Sequence, residues 1–216
     1  MTFRCHICGE EIKGSYLEHM KKHRKEFLYE KPKAKIAPQL YCSRREPPKP
    51  PSPEDIKPIK NFMFNKPEGG LWTSTFLPEG EEFDKMCSDW LRWCLSDMPE
   101  WLPKSEDYCW VLYPSDDVKV FEIDTLDDYI KCLEKYGYLN PATKKREINF
   151  EKLQMDYDCL HLTEGGFWGL RYIPEYPEYQ TFYGWDCEST IWFRWKFKEV
   201  KPLKEVPHTC KIKSPS

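Results

Sequence analysis

The sequence lacks any long apolar run, any glycine-rich phosphate-binding loop and any internal repeat. No stretch of 18 apolar residues occurs in the chain, so we do not expect it to cross a membrane. The first residues also lack the apolar core of a secretory signal peptide. Because no glycine-rich loop of the Rossmann or P-loop kind is present, neither class of nucleotide-binding domain is indicated.

Ten cysteines are present, but the pattern is not that of a small secreted disulfide scaffold. The chain is long, and two of the cysteines have metal-ligand spacing with histidines. Most of the others lie in apolar runs, as do Cys87, Cys94, Cys132 and Cys159. We interpret these as buried free thiols in a reducing compartment, the cytoplasm. An aromatic content of 16% is enough for a sizeable core.

The net charge of −3 is unevenly distributed along the chain. Residues 1–60 carry 14 Lys and Arg against 8 Asp and Glu, a net charge of +6. Residues 61–216 carry 19 against 28, a net charge of −9. A basic N-terminal part on an acidic body indicates an acidic partner such as nucleic acid. The alternative is a solvated basic helix and linker with no such partner.

Four metal-ligating side chains lie near the N-terminus in the pattern Cys5-x2-Cys8-x10-His19-x3-His23. The two thiolates share one tight turn, and the two imidazoles lie one helical turn apart on one face. This set supplies the four N/S ligands that a structural Zn²⁺ prefers and leaves no open catalytic position. So short a segment buries too little surface to fold alone, so the metal would supply the folding energy. The sequence therefore predicts a C2H2-like zinc finger over residues 1–30.

The partner of this finger is left open by the sequence. Its central spacing is shorter than the roughly twelve residues usual in DNA-reading fingers. It resembles the compact fingers of some viral, prokaryotic and ubiquitin-binding proteins. Contacts to phosphates could come from one basic helix face, formed by Lys21, Lys22, Arg24 and Lys25. One finger gives little sequence specificity, so nucleic acid and protein both remain candidate partners.

Proline and hydrophobic patterns divide the rest of the chain. We assign residues 31–60 to a proline-rich linker, because the prolines of 47–53 favour an extended, polyproline-like chain. A short apolar island at 39–42 within it is predicted as the first strand of the larger domain. That domain is predicted over residues 61–200, and residues 201–216 are predicted as a polar, frayed tail.

Strands are scattered among helices without regular βαβ alternation, which indicates an α+β fold. Aromatic and β-branched runs predict strands at 71–76, 108–113, 118–123, 159–162 and 190–197. Helical periodicity predicts a helix from Phe83 through Cys94, and capping residues predict two more after Thr125 and Asn149. Residues 164–183 are rich in Gly, Tyr and Pro and are predicted as a long loop.

Two polar motifs stand at strand ends in the larger domain. Trp72-Thr73-Ser74-Thr75 closes one predicted strand, and Asp186-Cys187-Glu188-Ser189-Thr190 leads into the last one. Their order resembles that in phage and bacterial proteins related to the ADP-ribosyltransferases, over roughly residues 38–198. The resemblance implies a mixed or antiparallel split sheet with flanking helices. It also implies an NAD-dependent mono-ADP-ribosyltransferase, a toxin or phage–host conflict effector that acts in a bacterial or host cytoplasm and is recruited by its zinc finger.

The resemblance gives the polar residues of these motifs catalytic roles. ADP-ribosyl transfer passes through an oxocarbenium-like state, and a glutamate entering a late strand offsets the developing charge. Glu188 matches that glutamate. Asp186, two residues earlier, would face a macromolecular acceptor, either protein or nucleic acid. Ser74 and Thr75 would brace the glutamate.

The resemblance also implies a binding site for NAD⁺. The family's first element is a basic residue or His on the first strand, which holds a phosphate or the adenine ribose. Arg44 or Arg45 could fill this role, although both follow the predicted strand instead of lying within it. Trp72 and Thr73 would complete the site, with Trp72 either a platform for nicotinamide or an ordinary core residue.

A second hypothesis from another functional class stays open. In it the chain is a non-enzymatic phage or host-interaction protein whose finger binds nucleic acid or protein and whose larger domain is an adaptor. Binding of NAD distinguishes the two hypotheses. Cys159-Leu160-His161 also resembles a nucleophile pair, but the sequence shows no acid to orient the histidine. His208 and Cys210 lie in the predicted tail, where no site is expected.

Overall fold

The computed structural model of the protein describes four segments of the chain, residues 3–4, 11–12, 35–80 and 85–212. The chain divides into two compact units, Met1–Ala34 and Lys35–Ser216. In the first unit, strand β1 (Phe3–Arg4) pairs antiparallel with β2 (Glu11–Ile12). The predicted zinc ligands and basic helix face lie outside the described residues, namely Cys5, Cys8, His19, Lys21, Lys22, His23, Arg24 and Lys25. The zinc finger therefore stays a prediction.

The larger unit has an α+β fold with a mixed sheet and, among its described residues, four helices. Its strands are, in chain order, β3 (Gln39–Cys42), β4 (Lys57–Lys60), β5 (Glu68–Thr75), β6 (Cys109–Pro114), β7 (Val120–Ile123), β8 (Gly137–Leu139), β9 (Arg146–Ile148), β10 (Cys159–Leu162), β11 (Ser189–Trp192) and β12 (Phe197–Pro202). The helices are α1 (Asp89–Asp97), α2 (Leu126–Tyr136), α3 (Phe150–Asp156) and α4 (Glu164–Leu170). In the part of the chain that is described, no helix has the length and apolar character needed to cross a bilayer.

The main sheet has eight strands in the order β12-β6-β3-β5-β11-β10-β7, with β4 paired to β5, while β8 and β9 form a separate hairpin. Its paired strands are antiparallel except β10 and β7, which run parallel. This order places β5, which ends in the Ser/Thr motif, directly beside β11, which follows Glu188. The segment 35–60 that the sequence assigns to a linker contributes β3 and β4 to this sheet.

Alternating side chains on β6 show how the sheet is covered. Cys109 and Val111 point into an apolar cluster that includes residues of α1. Trp110 and Leu112, in between, belong to a second cluster. This is the two-residue period of a strand that is buried on both faces. A third cluster packs α2, α3 and α4 against β7, β10 and β11.

Side-chain caps determine where the helices begin. The hydroxyl of Ser88 accepts a hydrogen bond from the third residue of α1, so this helix begins at Asp89. Residues 85–88 before it are not helical, and the predicted start at Phe83 lies outside the described residues. Thr125 starts α2 with a capping box, and Asn149 caps α3. Both of these helix starts confirm the sequence prediction.

Helix α4 lies in a segment that the sequence predicts as loop. Thr163 caps it by accepting from the N–H of Gly166. Phe167 and Leu170 then bury their side chains in the apolar cluster of α2 and α3. The prediction of a continuous loop over 164–183 is wrong, because an apolar helix face is interspersed with glycines there.

Residues 201–212 are part of the folded unit, and the prediction of a frayed tail is wrong for them. Strand β12 continues to Pro202, and the side chains of Leu203 and Val206 are buried beside α1. The apolar residues in this polar segment are few but correctly spaced to reach the core.

Two cysteines do not fit the prediction of free thiols. Cys87 and Cys210 form a disulfide, with their Cα atoms 5.5 Å apart. Their pairing joins the segment before α1 to the C-terminal segment, 123 residues away. Sequence alone could not show this proximity. The other predicted free thiols are confirmed as free and buried, namely Cys94, Cys132 and Cys159.

Candidate active site

The carboxylate of Glu188 lies immediately before β11 and is held by the end of β5. Ser74 Oγ donates to Glu188 Oε2 at 2.6 Å, and the backbone N–H of Thr75 donates to the same oxygen at 2.9 Å. Thr75 Oγ1 donates to Oε1 at 2.9 Å. The structure thus brings together the predicted carboxylate and the predicted Ser/Thr pair, although Ser74 and Glu188 lie 114 residues apart in sequence.

The register between β5 and β11 explains this approach. Thr190 lies opposite Thr73 in the antiparallel pair. Since the strands run in opposite directions, the chain before Thr190 continues alongside the residues that follow Thr73. Glu188 therefore reaches the end of β5, where Ser74 and Thr75 offer two hydroxyls and a backbone N–H.

A fourth group in contact with the Glu188 carboxylate, from a third residue, was not predicted from the sequence. His161 on β10 has Nε2 3.0 Å from Glu188 Oε1. Its Nδ1 is buried, makes no hydrogen bond to the described residues, and lies at an ion-pair distance of 3.5 Å from Oε2 of Glu122 on β7. The feature of the sequence that could have indicated this contact is the polar residue His161 within the predicted buried strand at 159–162. The two acids that orient it come from other strands.

His161 is held in its charged form by these two carboxylates. Burial of the ring lowers its pKa, but the interactions with Glu122 and Glu188 outweigh this and raise the pKa from 6.5 to about 9. The imidazolium then offsets part of the negative charge that Glu122 and Glu188 bring into the sheet.

Glu188 is almost completely buried, with its side chain 6% exposed. A buried carboxylate is strongly unfavourable unless it is hydrogen-bonded. An ionised carboxylate offers about four lone-pair positions. Ser74, Thr75 and His161 together fill them, so the group is both stabilised and fixed in orientation.

Three cavities surround this cluster. The tryptophan cleft, of about 360 Å³, is lined by Ser74 and by four indoles, those of Trp72, Trp90, Trp101 and Trp185. The acidic cleft, of about 490 Å³, is lined by Glu188 and by further charged residues, namely Asp89, Arg92, Asp97, Glu164, Arg171 and Asp186. The small cavity, of about 220 Å³, is lined by Glu188, His161 and Thr75 among others. Glu188 itself lines the acidic cleft and the small cavity, and its hydrogen-bond partner Ser74 lines the tryptophan cleft.

Asp186 lines both the tryptophan cleft and the acidic cleft. Its carboxylate pairs with Lys66 at 3.1 Å, and both side chains are partly exposed. Lys66 was not identified from the sequence, and it also lines the tryptophan cleft. Asp186 thus lies at the border between the two clefts.

The predicted cofactor-binding residues of β5 have different surroundings. Trp72 lines the tryptophan cleft and packs edge-to-face on Trp185, with ring centroids 4.8 Å apart. Thr73 is buried, donates to Gln39 Oε1 at 2.7 Å and accepts from Trp192 Nε1 at 2.9 Å. Thr73 therefore joins three strands, and Gln39 is a further polar residue that the sequence analysis did not single out.

The predicted basic element lies beside the clefts and does not line them. The guanidinium of Arg44 lies over the Trp101 ring, 4.3 Å from its centroid. Arg45 pairs with Asp55 at 2.7 Å. Neither arginine is among the described residues that line the three cavities. Their role in binding NAD stays a prediction.

No family model matches the chain, and no match was found among curated proteins or solved structures. Among residues 35–80 and 85–212, no group of three or more His, Cys, Asp or Glu side chains is arranged to hold a metal ion. The function proposed below therefore depends on the geometry around Glu188.

Proposed function

We propose that the larger unit is an NAD-dependent mono-ADP-ribosyltransferase of the ADP-ribosyltransferase fold type, with Glu188 as its catalytic carboxylate. The observation that carries the proposal is the set of hydrogen bonds from Ser74 and Thr75 to Glu188 beside the tryptophan cleft. A carboxylate with a fixed orientation in a largely buried site is suited to stabilise positive charge that develops in a transition state.

The chemistry requires such a group at one point. Breaking the bond between ribose and nicotinamide in NAD⁺ leaves positive charge on the ribose, and Glu188 would offset it. Ser74 and Thr75 would keep the carboxylate correctly aimed. The indoles of the tryptophan cleft offer flat apolar surfaces for an aromatic ring, and Lys66 offers a positive charge at the same cleft. Of these indoles and Lys66, Trp72 is the residue that the sequence analysis assigns to the NAD site.

The acceptor would approach through the acidic cleft. Asp186 lies at its border with the tryptophan cleft, two residues from Glu188. Its exposed ion pair with Lys66 can open at little cost, because such pairs contribute about 0–1 kcal/mol. The acceptor is a macromolecule, either protein or nucleic acid.

The N-terminal unit would recruit this acceptor as a zinc finger. The β1–β2 hairpin supports this proposal, because Cys5 and Cys8 lie between its two strands in sequence. A hairpin carrying two thiolates, followed by a segment carrying two histidines, is the arrangement of ligands that a structural zinc site uses.

A second candidate function is a non-enzymatic interaction protein. The observation in its favour is the placement of Arg44 and Arg45, each already engaged by a neighbouring side chain and neither lining a cleft. In this case the larger unit would bind no NAD, and Glu188 would be a structural carboxylate.

Labelled NAD added to the purified protein and a cell extract tests the proposal. We expect label in a macromolecular fraction, which protease or nuclease digestion then assigns to protein or nucleic acid. Glu188→Gln should leave NAD binding nearly intact and lower turnover by a factor on the order of a hundred or more.

A matched control separates loss of catalysis from loss of folding. Glu147 is fully buried and accepts from Asn140 Nδ2 at 3.0 Å and from Thr143 Oγ1 at 2.8 Å, and it lines none of the three cavities. Glu147→Gln should retain turnover if the chain still folds. Absence of NAD binding by the wild-type protein would support the second candidate.

A change at Asp186 tests the proposed direction of acceptor entry. Asp186→Ala should lower transfer of ADP-ribose more than hydrolysis of NAD, because water needs no help from the acceptor side. The fold should be unaffected, since the ion pair with Lys66 is partly exposed. Equal losses of transfer and hydrolysis would remove Asp186 from the acceptor side of the site.

A further inference from the structure

His161 occupies a position where two pairs of strands meet. It lies opposite Thr190 on β11 and in register with Glu122 on the parallel strand β7. Its side chain is 13% exposed. The row Glu122–His161–Glu188 therefore runs across neighbouring strands from β7 to the start of β11.

The two ring nitrogens impose a protonation state. Nε2 faces Glu188 Oε1 at 3.0 Å, and Nδ1 faces Glu122 Oε2 at 3.5 Å. A neutral imidazole has one N–H and one lone pair, so either tautomer would turn a lone pair toward a carboxylate. Only the imidazolium presents an N–H to both. Two carboxylates at ion-pair distance therefore favour a charged ring at this position, and the contact of Nε2 is the one short enough for a hydrogen bond.

Two further acidic residues lie in the same cavity as the ring. Besides Glu188 from the start of β11, the small cavity that His161 lines receives Asp89 from α1 and Glu164 from α4. The described residues lining this cavity include no Lys or Arg. Asp89 is paired with Arg92 at 3.1 Å, so the two carboxylates at ion-pair distance, Glu122 and Glu188, are the charges that act on the ring.

We propose that the His161 imidazolium is the positioning residue of Glu188, pinning Oε1 in the ionised carboxylate while Glu122 orients the ring from the opposite side. This inference rests on the proposed function and adds a residue to the same site. His161 acts through Glu188 and does not itself contact the reacting atoms. An activity that needs Glu188 ionised and fixed then falls when His161 loses its proton.

The coupling between His161 and its two neighbouring carboxylates can be measured without an assay of enzymatic activity. NMR of the imidazole protons and carbons in the full chain, which has five histidines, should show one ring that titrates near pH 9, and His161→Gln should remove that signal. Both Glu122→Gln and Glu188→Gln should lower the pKa of this ring by about one unit or more, because each removes a facing charge. If no ring titrates well above 6.5, or if Glu188→Gln leaves the titration unchanged, the inference is wrong.

Kinetics then test the positioning role itself. In the hydrolysis of NAD by the wild-type protein, kcat should fall as the pH rises through about 9, which gives the pH profile an alkaline limb, and KM should change little. His161→Gln keeps a donor toward Glu188 but not the charge, so kcat should fall roughly tenfold and the limb should disappear. Glu122→Gln should move the limb to lower pH. An unchanged limb in both variants would overturn the positioning role.

His208 provides a matched control for these experiments. Its Nε2 lies 3.7 Å from Glu106 Oε2, so it is also a buried histidine beside a glutamate, but it lines none of the three cavities. His208→Gln should keep the wild-type pH profile. A coupled His161–Glu188 titration in a protein without NAD turnover would refute the proposed function alone. Turnover that requires Glu188 but ignores His161 would refute this inference alone.

Discussion

His161 should make the stability of the larger unit depend strongly on pH. Its pKa is about 9 in the folded protein and 6.5 when unperturbed, so the folded state binds this proton more tightly than the unfolded state. A raised pKa gives stabilisation that is fully present below the unfolded value. It is lost as the pH rises from 6.5 through 9.

The magnitude follows from the difference between the two pKa values. At 1.36 kcal/mol per pKa unit, the change from 6.5 to about 9 corresponds to on the order of 3 kcal/mol in the free energy of unfolding. Little discount for solvent screening applies, because the ring is only 13% exposed. His161→Gln cannot bind the proton, so it removes the whole pH-dependent contribution while retaining a donor at the position of Nε2.

Urea unfolding followed by tryptophan fluorescence measures this difference. All nine tryptophans lie in the larger unit, so the signal reports on that unit alone. Between about pH 6 and about pH 10, the wild-type protein should lose on the order of 3 kcal/mol relative to His161→Gln. In thermal melts, each kcal/mol of this difference should change Tm by about 2–4 °C.

The comparison between variants removes the contributions of other groups. Lysines, tyrosines and thiols titrate at the upper end of this range, but they do so equally in both proteins. Parallel stability curves for the wild-type protein and His161→Gln over the full range would refute the reasoning, since a ring that binds its proton more tightly in the folded state must produce a difference.

Three further predictions concern other parts of the chain. Purified protein should contain about one zinc per chain by metal analysis, and Cys5→Ser or His23→Ala should release it without changing the tryptophan unfolding curve, because those ligands lie in the other unit. Cys210→Ser should lower the free energy of unfolding by on the order of 4 kcal/mol, since the disulfide closes a loop of 123 residues. Thiol counting under denaturing conditions should show two more free thiols in the reduced wild-type protein than in the unreduced protein. Asn65→Ala should cost about 2–5 kcal/mol in urea unfolding, because its fully buried side chain makes three hydrogen bonds and its φ of 54° lies in the left-handed region.

Local features of this fold could be predicted from the sequence because they depend on neighbouring residues. The strands at 39–42 and 159–162 have the predicted bounds, since the first is a short, largely apolar run between Pro38 and Ser43 and the second lies between Asp158 and Thr163. The helix starts after Thr125 and Asn149 follow from side chains that cap the next turn. Such signals require no knowledge of the tertiary fold.

Helix α4 shows where local signals mislead. Its sequence contains three glycines, each of which lowers intrinsic helix stability by about 1 kcal/mol relative to alanine. Gly166 is nevertheless required by packing, because a Cβ there would lie 2.2 Å from the carbonyl oxygen of Ile123. The glycine that suggested a loop allows the helix to approach β7 closely.

Only the residues of the site that belong to a recognisable sequence motif could be predicted. Ser74, Thr75 and Glu188 were identified from their order along the chain, and the structure brings them together. Glu122 and His161 could not be assigned, because their contact depends on β7 pairing parallel to β10 and β10 pairing with β11. Nothing local in the sequence specifies that strand order.

The proposed function accounts for the buried charges of this row better than stability does. Buried ionic groups rarely stabilise a fold more than apolar residues of the same volume would. This unit has three apolar clusters, so the row Glu122–His161–Glu188 is not needed to fill space. Of the donors to Glu188, a backbone N–H and a ring held by Glu122 cannot turn away, whereas the hydroxyls of Ser74 and Thr75 can rotate. Under the proposed function, a substrate hydroxyl would replace one of these two donors while the remaining donors keep the carboxylate in its orientation. That combination is what a carboxylate needs if it is to act on a bound substrate, and an apolar side chain at position 188 would provide none of it.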